Sequence, residues 1–345
     1  MSRRNRELIF LLVAAAVAIA SYLSVYAGRF REINRWSVFY GLIFAAIFAM
    51  LHLVVRLRLR QADPYLLPIA ALLAALGLAE IYRIRPPLAL LQGRWLVVAA
   101  VVFMLTVFVV GDHLRLNGVK YLMGVAGLLL LAVTIVVGTE VNGAKLWLRF
   151  AGLSFQPSEF AKIAIVVFLA GYLNDVKEML SMPTGRLFGL RVPAAKQLGP
   201  LVFLWAFSLF LLVFMKDFGM SLLVMAVFIA MLYMATSRLG YVIASALLFS
   251  GGAALTVHLV PHVQQRVDIW LDPWSRAETS GYQLLQSLFT IADGGIAGSG
   301  LGRGFLLFSD GTPVVPDLQT DFIFAALANE LGLLGAVGII LCYLL

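Results

Sequence analysis

The chain has 345 residues, 62% of them hydrophobic and only 13% charged, with a mean hydropathy of +0.95. No water-soluble fold buries that much apolar surface, so the composition excludes a soluble globular protein. Lysine and arginine outnumber aspartate and glutamate by 26 to 18. The basic residues sit between apolar blocks, which points to membrane lipids and anionic lipid-linked molecules as partners and excludes nucleic acid.

The blocks have the length, roughly 20 residues, that crosses ~30 Å of hydrocarbon as a helix, where only a helix satisfies its own backbone. Ten spans are expected, at 8–27, 36–55, 64–82, 95–110, 119–138, 158–173, 198–215, 218–235, 240–260 and 321–345. The fold class is therefore an all-α polytopic integral membrane protein with a large extracytoplasmic loop before the last span. The basic start, Met1 to Arg6, precedes a run long enough to span and without a convincing cleavage site, so it reads as a first transmembrane helix. Cys342, the only cysteine, lies inside the last block and reads as a small apolar residue. Short loops rich in Arg and Lys mark the cytoplasmic side. Arg3, Arg4 and Arg6, then Arg56, Arg58 and Arg60, then Arg115 and Lys120, the 177–196 loop and Arg238 all fall on one side if the N-terminus is inside. The outer face then receives 139–157, 215–218 and 261–320, where no ATP is available.

The first polar segment, from Glu140 to Lys162, is a loop that runs into a span and contains Lys145, Trp147 and Arg149. Pro157 suits a first helical turn, and Glu159 sits at the positive end of the helix dipole. Lys162 follows three residues later on the same face. A charge pair at the membrane edge is costly unless it is partnered or faces a wet cavity, so Glu159 and Lys162 are either capping groups or functional ones. Lys216 and Asp217 form a tight break between two spans, read as a solvated turn or as part of a site. His258 and His262 have the i,i+4 spacing of metal ligands, but Pro261 between them argues against one helix and against zinc.

Arg266 opens the long loop, Trp270 and Trp274 read as interfacial belt residues, and Gln283 and Gln286 share a helical face that meets either sugar hydroxyls or water. The glycine run 294–304 follows no strand and precedes no Walker lysine, so it is no nucleotide site. Its amides, with Arg303, could instead form a nest for a lipid phosphate. Asp321 opens the last helix either as an N-cap, beside Thr320, or as a reactive acid. Glu330 lies more than two turns deeper, where an acid is functional by default.

The strings Phe155-Gln-Pro-Ser-Glu-Phe-Ala-Lys162, Gly281-Tyr-Gln-Leu-Leu-Gln-Ser287, Gly300-Leu-Gly302, and Thr320-Asp-Phe-Ile-Phe-Ala325 through Glu330-Leu-Gly332 together resemble the SEDS family, the FtsW/RodA/SpoVE polymerases of peptidoglycan. The chain departs from the family pattern at Gln319 (usually His), Asp317 (usually Glu), Lys216 (often Pro) and Leu146 (often Arg). It resembles a twelve-span subgroup, with residues 1–63 as two additional N-terminal helices, 64–345 as the family core, and two terminal spans expected beyond the helix of Asp321.

The resemblance implies polymerisation of lipid II on the outer face through β-1,4 bonds, with release of undecaprenyl pyrophosphate. It implies Asp321 as the essential acid and Glu159 with Lys162 as a structural and functional pair. Lys145, Trp147, Arg149, Lys216, Asp217, Arg266, Gln283, Gln286 and Arg303 are candidates for binding substrate. A divalent cation, Mg or Mn, at an unassigned site and a class B penicillin-binding protein as partner are further expectations. The alternatives are a lipid II flippase and a scaffold for that transpeptidase.

Overall fold

Each apolar block is a helix in the computed structural model, which describes residues 2–30, 35–141, 144–150, 153–181, 185–187, 190–192 and 195–345. In chain order these are α1 (Arg3–Phe30), α2 (Arg35–Arg58), α3 (Leu66–Ile84), α4 (Pro86–Val109), α5 (Lys120–Val137), α6 (Pro157–Ser181), α7 (Ala195–Phe214), α8 (Phe218–Thr236) and α9 (Leu239–Leu259). Two shorter helices, α10 (Pro261–Leu271) and α11 (Tyr282–Asp293), precede α12 (Ile323–Leu344).

Among the described residues, eight helices are long and apolar enough to span a membrane: α1 to α5, α8, α9 and α12. The other two expected spans are helical but differ for visible reasons. The apolar run of α7, Leu198–Phe214, is shorter. Helix α6 continues past the expected end at residue 173 to Ser181, because Asp175, Lys177 and Glu178 extend it as a charged overhang. The chain is an all-α integral membrane protein that crosses the bilayer many times.

Two compact units divide it: Met1–Gly111 with Gln264–Leu345, and Asp112–Val263. In the first, α3 packs on α1, α4 and α12, and α2 packs on α1 and α4. Lipid tails are as apolar as leucine, so helices here associate by close approach and not by the hydrophobic effect. Ala14 and Ala18 of α1 and Ala71 and Ala75 of α3 are buried and supply the small surfaces that allow it. In the second unit α5, α6, α7 and α8 share a core built on Leu131, Ile165, Phe168, Leu169, Leu201 and Leu212. A Cβ on Gly124 would come within 2.8 Å of Leu204 and 2.9 Å of Phe168, which is why that position of α5 has no side chain.

Within the segment expected as a polar loop, β1 (Thr139–Val141), β2 (Ala144–Phe150) and β3 (Leu153–Phe155) pair antiparallel in that order. The reason is the period-two pattern of β2, where Leu146 and Leu148 are half-buried and Lys145 and Trp147 are exposed. Strands β4 (Gly185–Leu187) and β5 (Leu190–Val192) also pair antiparallel. Helix α9 ends before Val260 and α10 starts at Pro261, so His258 and His262 lie on different helices.

Candidate functional site

In the first unit the polar side chains converge where the 294–322 segment meets α3 and α12. Helix α12 begins at Ile323, its N-cap position is Phe322, and no side chain caps it. Asp321 is therefore not the cap that its residue type allowed. Its backbone N–H donates to Asp317 O at 2.9 Å, and Thr320 N–H donates to the same carbonyl at 3.0 Å. Asp317 supports this tight turn with a left-handed φ of 51°. The Asp321 side chain is exposed, and among the described residues nothing hydrogen-bonds its carboxylate. Beneath the turn, Ile84 of α3 packs with Leu306, Val315, Leu318, Ala325 and Ala326, and Phe322 lies against that cluster. Gln283 of α11 adds a tether, donating from Nε2 to Pro316 O at 2.8 Å. Gln286, one turn on, is half-buried.

Glu330 is 1% exposed, and the glycine run exists to reach it. Gly332 breaks α12 with φ 68° and ψ −173°, a conformation that side chains other than glycine avoid. The break frees the carbonyls of Asn329 and Glu330, which accept from Ser299 N–H at 3.0 Å and Gly300 N–H at 2.9 Å. Beyond it, Leu333 N–H donates to Gly295 O at 2.9 Å. A Cβ on Gly298 would lie 2.6 Å from the Glu330 carbonyl carbon, so the loop passes only without one.

The Glu330 carboxylate accepts from Gly302 N–H at 2.9 Å and Gly304 N–H at 3.2 Å and forms an ion pair with Arg83 of α3. Arg83 also donates to Gly304 O at 2.5 Å. Glu80, one turn back on α3 and 1% exposed, stands 3.7 Å from the guanidinium. The expected phosphate nest is thus corrected: its amides hold the protein's own carboxylate. Arg303 is exposed beside them, and Arg266 is exposed on α10.

Arg83 and Glu80 went unread in the sequence although their signal was present. An acid and a base three residues apart inside an apolar run is the same pattern that drew attention to Glu159 and Lys162.

In the second unit Glu159 occupies the first turn of α6, and Lys162 Nζ lies 2.8 Å from its Oε2, with the two side chains 56% and 29% exposed. Asp217 caps α8, accepting from Met220 N–H at 3.0 Å through Oδ1, while Oδ2 is buried without a partner among the described residues. Burial pushes the Asp217 carboxyl above the usual carboxylate range. The Met220 amide pulls it back, Glu159 raises it further and Lys162 lowers it. These three side chains therefore share one electrostatic environment.

Lys216, at the break with φ 61°, lines a pocket of about 230 Å³ with Glu140, Lys145, Ile135, Phe214 and Met215. Glu140 and Lys145 are cross-strand partners in β1 and β2. Trp147 is 37% exposed on the same strand, and the Arg149 side chain lies outside the described residues. Among the described residues no three His, Cys, Asp or Glu side chains gather as a metal cluster.

A family model for cell cycle proteins, covering FtsW, RodA and SpoVE, matches residues 86–345. The chain is similar to a peptidoglycan glycosyltransferase RodA of Mycobacterium leprae, 38% identical over 352 residues, which covers 99% of this chain and 74% of that protein. A probable peptidoglycan glycosyltransferase FtsW of Thiomicrospira cyclica is 37% identical over 221 residues, 63% of this chain and 52% of that one. Among solved structures, a chain from work on a peptidoglycan synthase complex that coordinates polymerization and crosslinking is 26% identical, with a TM-score of 0.48, covering 88% of this chain and 74% of that chain.

Proposed function

For a chain that belongs to the FtsW/RodA/SpoVE family of cell cycle proteins, we propose glycan polymerisation in which Asp321 is the general base. The enzyme is a peptidoglycan glycosyltransferase, and the substrate in this reading is lipid II. The C4 hydroxyl oxygen of one sugar attacks C1 of another, the bond from C1 to the pyrophosphate oxygen breaks with its electron pair, and the hydroxyl proton passes to the Asp321 carboxylate. A sugar hydroxyl is barely acidic at neutral pH, and a positioned base contributes typically about 10²- to 10⁴-fold.

The observation that carries this role is the Asp321 carboxylate itself: exposed, claimed by no hydrogen bond among the described residues, and mounted on a turn seated on the Ile84 cluster. Glu330 and Arg83 are positioning residues, since they touch the loop backbone and not the solvent-facing side. In the second unit, taken by itself, Lys145, Lys216 and Lys162 offer positive charge to an anionic substrate group, and Trp147 offers an aromatic face to a sugar. Arg266, Arg303 and Gln286 are further contacts for substrate.

A divalent cation would be held through Asp217, whose Oδ2 is buried without a partner among the described residues, because Mg²⁺ is commonly held by one or two carboxylates with substrate phosphates completing its shell. Bound there, it would supply positive charge to the phosphate oxygens of a substrate. The N-terminus is cytoplasmic in this reading, the reaction is extracytoplasmic, and a class B penicillin-binding protein crosslinks the product.

The test is purified protein with labelled lipid II, resolved for polymer on gels and for translocation in vesicles. Polymer lost in Asp321→Asn supports the assignment. Translocation without polymer would make the protein a flippase, and neither activity would leave a scaffold.

A further inference from the structure

One end of the α1–α2 pair concentrates arginine. Arg3, Arg4 and Arg6 open α1, and Arg56, Arg58 and Arg60 lie at or just beyond the end of α2, with Glu7 and Asp63 as the nearby acids. The helices run antiparallel in contact, so the two sets meet. Arg3, Arg4, Arg56 and Arg60 line one pocket of about 490 Å³, together with Ser2 and two leucines, Leu53 and Leu57.

Basic residues at span ends are an ordinary consequence of topology, and such residues are solvated and loosely held. Three of the four arginines that line the pocket are tethered. Arg3 Nη1 donates to Gln61 O at 2.8 Å, Arg4 donates to Ala62 O and pairs with Glu7, and Arg56 Nη1 reaches Asn5 Oδ1 at 3.4 Å. Each guanidinium carries five N–H donors, so these bonds tether it and leave several donors for a ligand. The nearest carboxylate cannot neutralise the group, because Glu7 is fully buried and divided between Arg4 and His52, whose Nδ1 lies 2.6 Å from it.

We propose that this pocket binds the headgroup of an anionic phospholipid. Guanidinium forks match phosphate oxygens in bidentate geometry. Leu53 and Leu57 are 53% and 63% exposed and offer an acyl chain the apolar wall that a free anion would not use. The lipid pins the two N-terminal helices to the headgroup layer at a fixed depth.

Apparent affinity is measured by native mass spectrometry on the delipidated full chain with phosphatidylglycerol, phosphatidylcholine and inorganic phosphate. The exposed pair is removed in Arg56→Gln/Arg60→Gln, and a charge-matched control is Arg115→Gln/Lys196→Gln. Phosphatidylglycerol binding should weaken roughly 30-fold in the first variant, about fivefold for each arginine, and stay within twofold in the control. Phosphatidylcholine binding should not change in either. Equal losses in variant and control would reduce the effect to net charge and overturn the site, as would no loss in either. Displacement of the lipid by inorganic phosphate at comparable concentration would show that a free anion, and not a lipid, is the ligand. Unchanged melting temperature of the glutamine variants keeps these outcomes separate from misfolding.

Discussion

Replacing Arg83 with methionine removes the cation that joins α3 to the glycine loop while preserving most of the side-chain volume. The wild-type arginine pairs with Glu330, donates to Gly304 O at 2.5 Å and stands 3.7 Å from Glu80. Its loss leaves two buried carboxylates with no cation between them, and breaking a buried pair from one side costs about 3–5 kcal/mol. Glu330 keeps its two backbone amides, which places the expected cost near the lower bound. Glu330→Gln retains one good acceptor but turns an N–H₂ toward the other amide, at about 1–3 kcal/mol for the unsatisfied group. Once Glu330 is neutral, Arg83 has less to lose, so the double variant should be more stable than the sum of the singles by about 2 kcal/mol. Denaturation of the purified protein in detergent, run as a double-mutant cycle, measures this coupling. Additivity within about 0.5 kcal/mol would show that the two residues act independently and would refute the linkage of α3 to the loop. Arg83→Lys distinguishes charge from geometry: lysine keeps the charge but lacks the fork that serves Glu330 and Gly304 O together, and should recover only part of the loss. If the loop positions Asp321, the lysine variant should also lower the polymerisation rate more than it lowers lipid II binding.

Asp321→Asn should reduce polymerisation by about 10²-fold or more with an unchanged melting temperature, and a stable, active Asn variant would remove the catalytic role. For Glu159→Gln and Lys162→Met, the exposed geometry (56% and 29%) predicts a coupling of about 0–1 kcal/mol to stability. A cycle giving 2 kcal/mol or more would mean that neighbouring protein or lipid excludes water from the pair. For topology, Ser275→Cys should label with an impermeant maleimide in intact cells and Ser237→Cys should not, both in a background lacking Cys342, and the reverse pattern would invert the proposed orientation.

The spans were legible because length and apolarity suffice in a bilayer: a helix must satisfy its own backbone there, whatever its neighbours do. Helix α6 shows the limit of that rule. The ends of α6 are set by where charges can reach water, and hydropathy alone stopped it at residue 173 while Asp175, Lys177 and Glu178 carry it to Ser181. Strand β2 was written in the alternation of Lys145, Leu146, Trp147 and Leu148, but a seven-residue strand in a helical protein is easily taken for a loop. At the candidate site the local pair Glu159 and Lys162 could be read, because an i,i+3 relation lies within one helix. The partners of Glu330 could not. Arg83 lies 247 positions away in sequence, and spacing says nothing about which helix comes to face which.

The glycine run shows why a motif and its physical use can differ. Successive backbone amides in a glycine-rich loop make a concavity for an anion, and the sequence leaves open whether that anion arrives with a substrate or belongs to the chain. Here the break at Gly332 decides. By leaving the α-helical region it exposes two carbonyls of α12 to Ser299 and Gly300, which draws the loop against the helix and brings the amides of residues 302 and 304 onto Glu330. An acid that would be prohibitive in a membrane helix is satisfied by two amides and one guanidinium. In return the loop gains a fixed attachment two turns below Asp321. The two acids differ in their surroundings: the Glu330 carboxylate holds backbone, whereas among the described residues nothing hydrogen-bonds the Asp321 carboxylate.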